Sequence, residues 1–243
     1  MTLGEPVLRV KKSLWRREDP ESGGKPTVPP DIRKLVIERD RGGCAHCGFA
    51  AEKWQEIHHL DDDHHNNDPN NLATLCPWCH GCHHVGFMGM SGKMRLIHLP
   101  GIRQTTIFHF VRILFVGAAI DFDDKMKIGS ACRSLYGILA SRTKDVVAAF
   151  GPESDNPAGL GNILLENEVP EDRIAGFRLI PEKGKVWQPL VQYWARSVFA
   201  DHPPLIWAGV LSQIEKKLNE VPDSPNEEYE TESETGSSGG DAE

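Results

Sequence analysis

Apolar residues recur at helical spacing through most of the second half of the chain. The pattern predicts helices over residues 107–119, 135–150, 186–200 and 205–218. Two short apolar runs, MRLIHLP from Met94 and GFRLIP from Gly176, are typical of strands. Residues 91–218 are therefore expected to form a mostly helical extension, with three tryptophans in its core: Trp187, Trp194 and Trp207.

The apolar stretch at residues 105–120 is predicted to be a buried helix. It contains His109 and Arg112 and falls short of the roughly 20 apolar residues that span a bilayer. The N-terminus carries charge early and has no apolar run behind it, so no secretory signal is expected. We therefore expect a cytoplasmic protein without a transmembrane segment.

The first half of the chain contains a short helical pattern and several glycines. Ile32, Leu35 and Val36 lie at i, i+3 and i+4, with Asp31 in the N-cap position after two prolines, which predicts a short amphipathic helix. Three glycines in VGFMGMSGKM, from Val85, predict a mobile turn. Glycine and proline around residues 151–162 predict loops.

Acidic charge is concentrated at the C-terminal end of the chain. The formal net charge is -8, and residues 218–243 hold nine acids and no Lys or Arg, so the remainder is near neutral. Residues 219–243 are expected to be a disordered acidic tail, because they cannot bury enough apolar surface to offset the entropy of ordering. The tail either keeps the protein soluble, competes with nucleic acid for a basic surface, or docks onto a basic partner.

Residues 1–30 are expected to form a basic arm followed by a linker rich in Pro and Gly. Five basic residues can hold nucleic-acid phosphates: Arg9, Lys11, Lys12, Arg16 and Arg17. The alternative is an arm that packs Leu8, Val10 and Trp15 on the body and leaves its charges solvated. The stretch from residue 20 to residue 30 is a linker by composition.

Residues 44–84 concentrate the side chains that bind metals, with five of the six cysteines and eight of the eleven histidines. Two Cys-x2-Cys pairs, separated by 28 residues, can place four thiolates around one structural Zn²⁺: Cys44, Cys47, Cys76 and Cys79. Metal ligation is favoured over disulfides in a reducing compartment. A competing register pairs Cys79 with Cys82, although Cys82 lies where the neighbouring histidines should already be helical.

The order of the histidines resembles the HNH, or ββα-metal, nucleases, in which a hairpin and a helix grip one divalent ion. His58-His59 come first, Asn71 follows, and His80-x3-His84 puts two imidazoles one helical turn apart. The resemblance implies that His58, His80 and His84 bind a catalytic Mg²⁺, Mn²⁺ or Zn²⁺. It also implies that His59 is the general base and that Asn71 orients it. Adjacent strand residues point to opposite faces, so His58 and His59 can serve one site only across a bulge or sharp twist.

Other polar residues of this region are expected to lie outside the site. His64 and His65 belong to a polar loop, His83 faces elsewhere on the predicted helix, and His46 is expected to be exposed. Asp61 is a weaker candidate for orienting a ligand histidine.

A second resemblance extends further along the chain. ERDRGGCAHCGF, NNLATLCPWC, a glycine-rich turn followed by LIHLP, and FRLIP ahead of a QYWA helix are together similar to the DotN (IcmJ) family of type IVB Dot/Icm secretion systems, over roughly residues 9 to 200. The two Cys-x2-Cys pairs are shared with many HNH proteins, whereas the order of LIHLP and FRLIP is more specific to this family. The resemblance implies a zinc platform in the coupling complex, the inner-membrane ATPase assembly that collects substrates for export. It implies no catalytic residue.

Together these patterns predict an α+β protein with an HNH-like zinc module over residues 31–90, the helical extension and the acidic tail. One hypothesis is a cytoplasmic adaptor, peripheral at the inner membrane, that docks on the coupling ATPase and associated secretion subunits. The other is a metal-dependent DNA endonuclease with His59 as the base. The large C-terminal half favours the adaptor, and the complete histidine and asparagine set favours the enzyme. Binding of nucleic acid without cleavage is a third hypothesis, and only the basic arm supports it.

Overall fold

The computed structural model describes residues 1–10, 28–120, 127–166, 168–169 and 174–221. Its helices are α1 (Pro30–Arg39), α2 (Pro77–Cys82), α3 (Val85–Met90), α4 (Gln104–Ala119), α5 (Ile128–Ser141), α6 (Thr143–Phe150), α7 (Pro157–Glu166), α8 (Gln188–Arg196) and α9 (Pro204–Asn219). Its strands are β1 (Glu56–His59), β2 (Leu72–Leu75), β3 (Met94–His98) and β4 (Phe177–Pro181). The protein is therefore a mixture of helices and small sheets, with most of its helices in the C-terminal half.

The strands form two antiparallel pairs. β1 and β2 pair over four consecutive positions, from Glu56 opposite Leu75 to His59 opposite Leu72, so no bulge interrupts this hairpin. β3 and β4 pair from Met94 opposite Pro181 to His98 opposite Phe177. The sequence predicted both of these strands but not their pairing, because four helices lie between the two partners along the chain.

One hydrophobic core joins the cysteine-rich region to the helical extension. Its buried members run along the chain from Leu8 to Leu218. Trp78 of α2 is completely buried and makes edge-on ring contacts with Trp187 and Trp194, at centroid distances of 6.2 and 5.1 Å. The prediction that the three tryptophans of the extension are core residues is confirmed, whereas the domain boundary at residue 90 stays a prediction.

Three of the predicted helices in the extension are present as α4, α8 and α9. The fourth, predicted as a single helix over residues 135–150, is instead two helices, α5 and α6, which meet at Arg142. The backbone carbonyl of Arg142 accepts a hydrogen bond from the His98 amide at 3.3 Å, at the end of β3. This contact with the sheet explains why the apolar pattern continues while the helix does not. Among the described residues, no helix is long and apolar enough to cross a membrane.

Two segments predicted to be loops are wholly or partly helical. VGFMGM forms α3, whereas residues 151–156 are turns, as predicted, and α7 begins at Pro157. A Cβ atom placed on Gly89 of α3 would lie 2.1 Å from the backbone nitrogen of Ala158 in α7. The glycine therefore permits close approach of two helices, and the interpretation as a mobile turn was wrong. The predicted inward face of α1 was also partly wrong, because Val36 is buried but Leu35 is 53% exposed.

Residues 1–10 pack along the cysteine-rich region. The Arg9 amide donates to Cys82 O at 2.8 Å, and the Val85 amide donates to Arg9 O at 3.1 Å. Leu8 is buried, and the Glu5 carboxylate accepts from the Thr105 amide at 3.1 Å at the start of α4. These contacts agree with the packed-arm interpretation for residues 1–10. Several residues of the predicted arm and tail lie outside the described residues. They are Trp15, the basic residues Lys11, Lys12, Arg16 and Arg17, and residues 222–243 of the acidic tail.

Candidate metal centres

The first cysteine pair lies in a tight turn ahead of β1. The Cys44 amide donates to Phe49 O at 3.0 Å, and the Gly48 amide donates to Cys44 O at 2.8 Å. Gly48 has φ of 73°, a conformation that costs glycine little and other residues more. This closed turn brings Cys44 and Cys47 to the same place in the fold.

The second cysteine pair begins where β2 ends. Cys76 is the N-cap of α2, and its Sγ accepts from the Cys79 amide at 3.5 Å. The sulfurs of all four predicted ligands lie within 4.8 Å of one another, and those of Cys47 and Cys76 are 3.8 Å apart. Zinc–sulfur bonds of about 2.3 Å in a tetrahedron separate the sulfurs by about 3.8 Å, so the donor set suits zinc. The competing register is not adopted, because the sulfur of Cys82 lies outside the group and contacts Trp78 O at 3.9 Å.

The four thiols influence one another's ionisation. Hydrogen bonds from the other thiols, from Cys47 above all, lower the pKa of Cys44. Burial, together with hydrogen bonds to Cys44 and Cys47, raises the pKa of Cys76. Several thiolates at this separation repel one another unless a cation lies between them. The cluster is therefore suited to a soft divalent ion that accepts sulfur ligands.

A second cluster consists of His58 on β1, His80 on α2 and His84 just before α3. One ring nitrogen from each lies within 4.8 Å of the others, and the Nε2 atoms of His80 and His84 are 3.2 Å apart. Their rings meet edge-on. Three imidazoles in this arrangement can bind one transition-metal ion.

Glu56 holds the ring of His80. Its carboxylate accepts a hydrogen bond from Nδ1 of His80, which leaves Nε2 of His80 directed at the cluster. Burial alone would raise the pKa of Glu56. The hydrogen bond from His80 and the charges nearby outweigh burial, so the pKa of Glu56 is lowered. Sequence reasoning missed Glu56, although its position two residues before His58 placed both side chains on one face of the strand.

The sequence predicted that His80 and His84 share one helix, but they do not. α2 ends at Cys82, and His84 lies in the turn that precedes α3. Its amide donates to Gly81 O at 3.1 Å. This turn, rather than a continuous helical face, brings the two rings together.

His58 and His59 have different neighbours, as expected for adjacent residues in a regular strand. The ring of His58 lies 5.4 Å from that of His80, between centroids. The ring of His59 lies 5.1 Å from that of His64, and its Nε2 is 3.2 Å from Oδ1 of Asn67. No bulge interrupts the pairing at these two histidines.

The sequence predicted that Asn71 orients His59, but its side chain has other hydrogen-bond partners. Its Nδ2 donates to Oδ1 of Asp61 at 2.8 Å and to Asn66 O at 3.0 Å, and its Oδ1 accepts from the Asp61 amide at 3.1 Å. Asn71 therefore braces the loop between β1 and β2, while Asn67 contacts His59. Asp61 takes part in this loop network, in which its carboxylate also accepts from Asn66 Nδ2 at 2.7 Å.

His83 and His46 lie closer to the second cluster than the sequence indicated. His83 is buried, and its ring lies 4.1 Å from that of His58, between centroids. The Nε2 atoms of His83 and His46 are 2.9 Å apart. Nδ1 of His46 donates to Gly4 O at 2.5 Å, so the packed arm also reaches this chain of rings.

Two residues of α4 contact the cysteine cluster. Nη2 of Arg112 donates to Sγ of Cys76 at 3.6 Å, and its Nη1 donates to Nδ1 of His109 at 3.1 Å. Nε2 of His109 donates to Cys47 O at 2.9 Å. Burial lowers the pKa of His109, and the adjacent Arg112 lowers it further, which agrees with a neutral ring that accepts at Nδ1. The signal in the sequence was two polar residues, three positions apart, in the part of α4 that is otherwise apolar after Thr106.

The fold and its clusters define a mixed α/β protein with a candidate four-thiol centre and a candidate three-imidazole centre. No protein-family model matches the chain. The chain is 31% identical over 173 residues to the type 4 apparatus protein DotN of Legionella pneumophila subsp. pneumophila strain Philadelphia 1; the matched region covers 68% of this chain and 78% of that relative. This protein belongs to the DotN family. The family resemblance in the sequence is thereby confirmed, whereas the HNH assignment stays a prediction.

Proposed function

We propose that this protein is a subunit of a type IV secretion apparatus and acts there as a zinc-stabilised adaptor. The observation that carries the proposal is its similarity to a protein of the type 4 apparatus over most of that protein's length. Zinc in the cysteine cluster would join the turn at Cys44 to the start of α2. The adaptor would be cytoplasmic and would reach the inner membrane through its partners.

The arrangement of the first centre supports a structural role for the metal. Three of its four cysteines are buried and Cys47 is partly buried, so the centre has little access to a substrate. The order of hairpin β1–β2 and helix α2 matches a ββα module with the histidine cluster between its parts. We infer an HNH-like module that serves as a platform for the helical extension.

The extension offers apolar side chains for docking. Leu205 and Ile206, at the start of α9, are 77% and 50% exposed, and Ile138 on α5 is 42% exposed. α5 and α9 pack together. Exposed apolar groups on paired helices are suited to contact with an amphipathic partner segment, and we infer that the coupling ATPase supplies that segment.

Co-expression of the full chain with the coupling ATPase tests the adaptor proposal. We expect the two proteins to copurify, and we expect Leu205→Asp with Ile206→Asp to abolish copurification without changing the circular dichroism spectrum. Leu35→Asp is the matched control, because Leu35 is also exposed but lies on α1, outside the extension. An ATPase that never copurifies with the wild-type protein would refute the docking proposal, with or without the acidic tail.

A metal-dependent DNA endonuclease is the second candidate function. The observation that favours it is the convergence of His58, His80 and His84 on one point. His59 would be the general base and Asn71 would support its loop. The neighbours of His59 weigh against this function, because they are His64 and Asn67 rather than the three clustered histidines.

Plasmid cleavage distinguishes the two functions. Purified protein is incubated with supercoiled DNA and Mg²⁺, Mn²⁺ or Zn²⁺, alongside His59→Ala and His80→Ala variants. The adaptor proposal predicts intact plasmid under every metal. Nicking by the wild type that both substitutions abolish would establish the nuclease instead.

A further inference from the structure

Arg112 is a cation buried against the cysteine cluster. Its side chain is among the largest that are completely buried, with 1% of the residue exposed. Its polar contacts are Sγ of Cys76 and Nδ1 of His109, and its Nε has no acceptor among the described residues. Among those residues no carboxylate forms an ion pair with it. The guanidinium thus lacks the acidic partner that buried arginines usually have.

Three aromatic rings surround the guanidinium. Its carbon lies 3.8 Å from the ring centroid of Phe49 and 5.1 Å from those of Trp78 and Trp194. Phe49 follows the first cysteine pair, Trp78 lies inside the second, and Trp194 is on α8. Aromatic faces attract a cation, but removing a full charge from water costs more than such contacts return. A compensating negative charge is therefore expected nearby.

The metal-loaded cysteine cluster has that charge. A divalent ion with four thiolates carries a formal charge of about -2, and the sulfur of Cys76 is the group that Arg112 contacts. We propose that Arg112 is the internal counter-ion of the loaded centre, and that this pair couples metal loading to the seating of α4 and α8 on the cysteine-rich region. The proposal rests on the proposed zinc occupancy of the cluster.

Metal loading is coupled to α4 and α8 because residues of these two helices lie around the cysteine cluster and the Arg112 guanidinium beside it. Arg112 and His109 are on α4 and contact Cys76 and Cys47, one from each cysteine pair. Trp194, whose ring faces the Arg112 guanidinium, is on α8. An ion that fixes the sulfur of Cys76 also fixes the guanidinium, and the guanidinium orders the aromatic rings around it. Loss of the ion releases the Cys76 sulfur, so α4 loses a charged anchor. A partner that docks on the extension would then bind the loaded protein more tightly than the metal-free protein.

The first measurement is zinc affinity, by competition with a chromophoric chelator. We expect Arg112→Met to weaken zinc binding by about 10- to 100-fold, the usual effect of removing a group that contacts a metal ligand. Arg112→Lys retains the charge and should restore a large part of that loss. Arg142→Met is the matched control, because Arg142 is also a buried arginine but lies beside Asp145. We expect it to leave zinc affinity unchanged.

The second measurement is amide hydrogen exchange of the full chain with and without zinc. In the wild type, chelation should raise exchange in α4 and α8 as well as around the cysteines. In Arg112→Met, the response of α4 and α8 to chelation should be lost. If Arg112→Met fails to fold, the wild-type response still tests the coupling, and zinc affinity equal to the wild type in a folded Arg112→Ala would overturn the role of Arg112.

The outcomes separate the two proposals. A wild-type protein that binds no zinc would refute the zinc-stabilised centre itself. Zinc binding with equal affinity in the wild type and Arg112→Met would overturn the role of Arg112 and leave the adaptor proposal intact. Exchange in α4 and α8 that does not respond to zinc in the wild type would overturn the coupling.

Discussion

Glu56 contacts His80, one of the three candidate metal ligands of the histidine cluster. Its carboxylate contacts Nδ1 of His80, and such contacts orient a histidine and raise its basicity. We expect Glu56→Gln to weaken Co²⁺ binding to the histidine cluster by about 10- to 100-fold, measured by spectroscopic titration. Glu52→Gln changes an exposed neighbour and should have no effect. Equal Co²⁺ affinity in both variants would exclude the role assigned to Glu56.

Tyr136 links α5 to β4 through one buried hydroxyl. Its hydroxyl donates to Pro181 O at 2.8 Å, and burial raises its pKa to about 12. A tyrosine in the unfolded chain has a pKa near 10, so the folded state holds its proton more tightly. This contribution to stability is complete below pH 10 and is lost as the pH rises through 12, by about 1.4 kcal/mol per unit between them.

Tyr136→Phe cannot ionise and should lack this alkaline loss. The measurement is the free energy of unfolding in urea at several pH values from 8 to 12, for the wild type and Tyr136→Phe. We expect the difference between the two proteins to shrink above pH 10, because only the wild type loses stability through this group. A difference that stays constant with pH would contradict the assignment.

Close packing of helices in the extension depends on Gly117 of α4. A Cβ atom there would lie 2.6 Å from Sγ of Cys132 on α5 and 2.9 Å from the ring of Trp207 on α9. We expect Gly117→Ala to lower the free energy of unfolding by about 1–3 kcal/mol, because the three helices must separate. Gly137 in α5 has nothing within 4 Å of the same position, so Gly137→Ala should stabilise by up to about 1 kcal/mol. Urea denaturation of both variants measures whether the free energy of unfolding falls for Gly117→Ala and rises for Gly137→Ala.

The helices and strands that the sequence predicted correctly are those that depend on interactions within one segment. Those that it missed depend on contacts between segments far apart in the chain. α4, α8 and α9 were predicted because apolar spacing within a helix reports which face is buried. α3 and α7 were not, because Gly89 serves a contact between two helices that no local pattern reveals. The pairing of β3 with β4 was missed for the same reason, since many partners are compatible with a short apolar strand.

The whole molecule has one continuous core from the arm to α9, so loss of the cysteine centre should affect both halves. We expect Cys44→Ser to lower the unfolding temperature by about 6–12 °C, as a loss of about 3 kcal/mol would, in a single transition. His80→Ala is the control and should leave most of the stability in place. Differential scanning calorimetry measures both, and an extension that melts separately and unchanged would contradict a shared core.

The sequence by itself predicted which four cysteines come together and most helices of the extension. Both depend on spacing within short segments, where local geometry decides which side chains can meet. Only the tertiary structure decided that His59 contacts Asn67 rather than Asn71, and that Arg112 reaches Cys76. These contacts join residues from different elements, and the packing of those elements depends on the whole core rather than on any one segment.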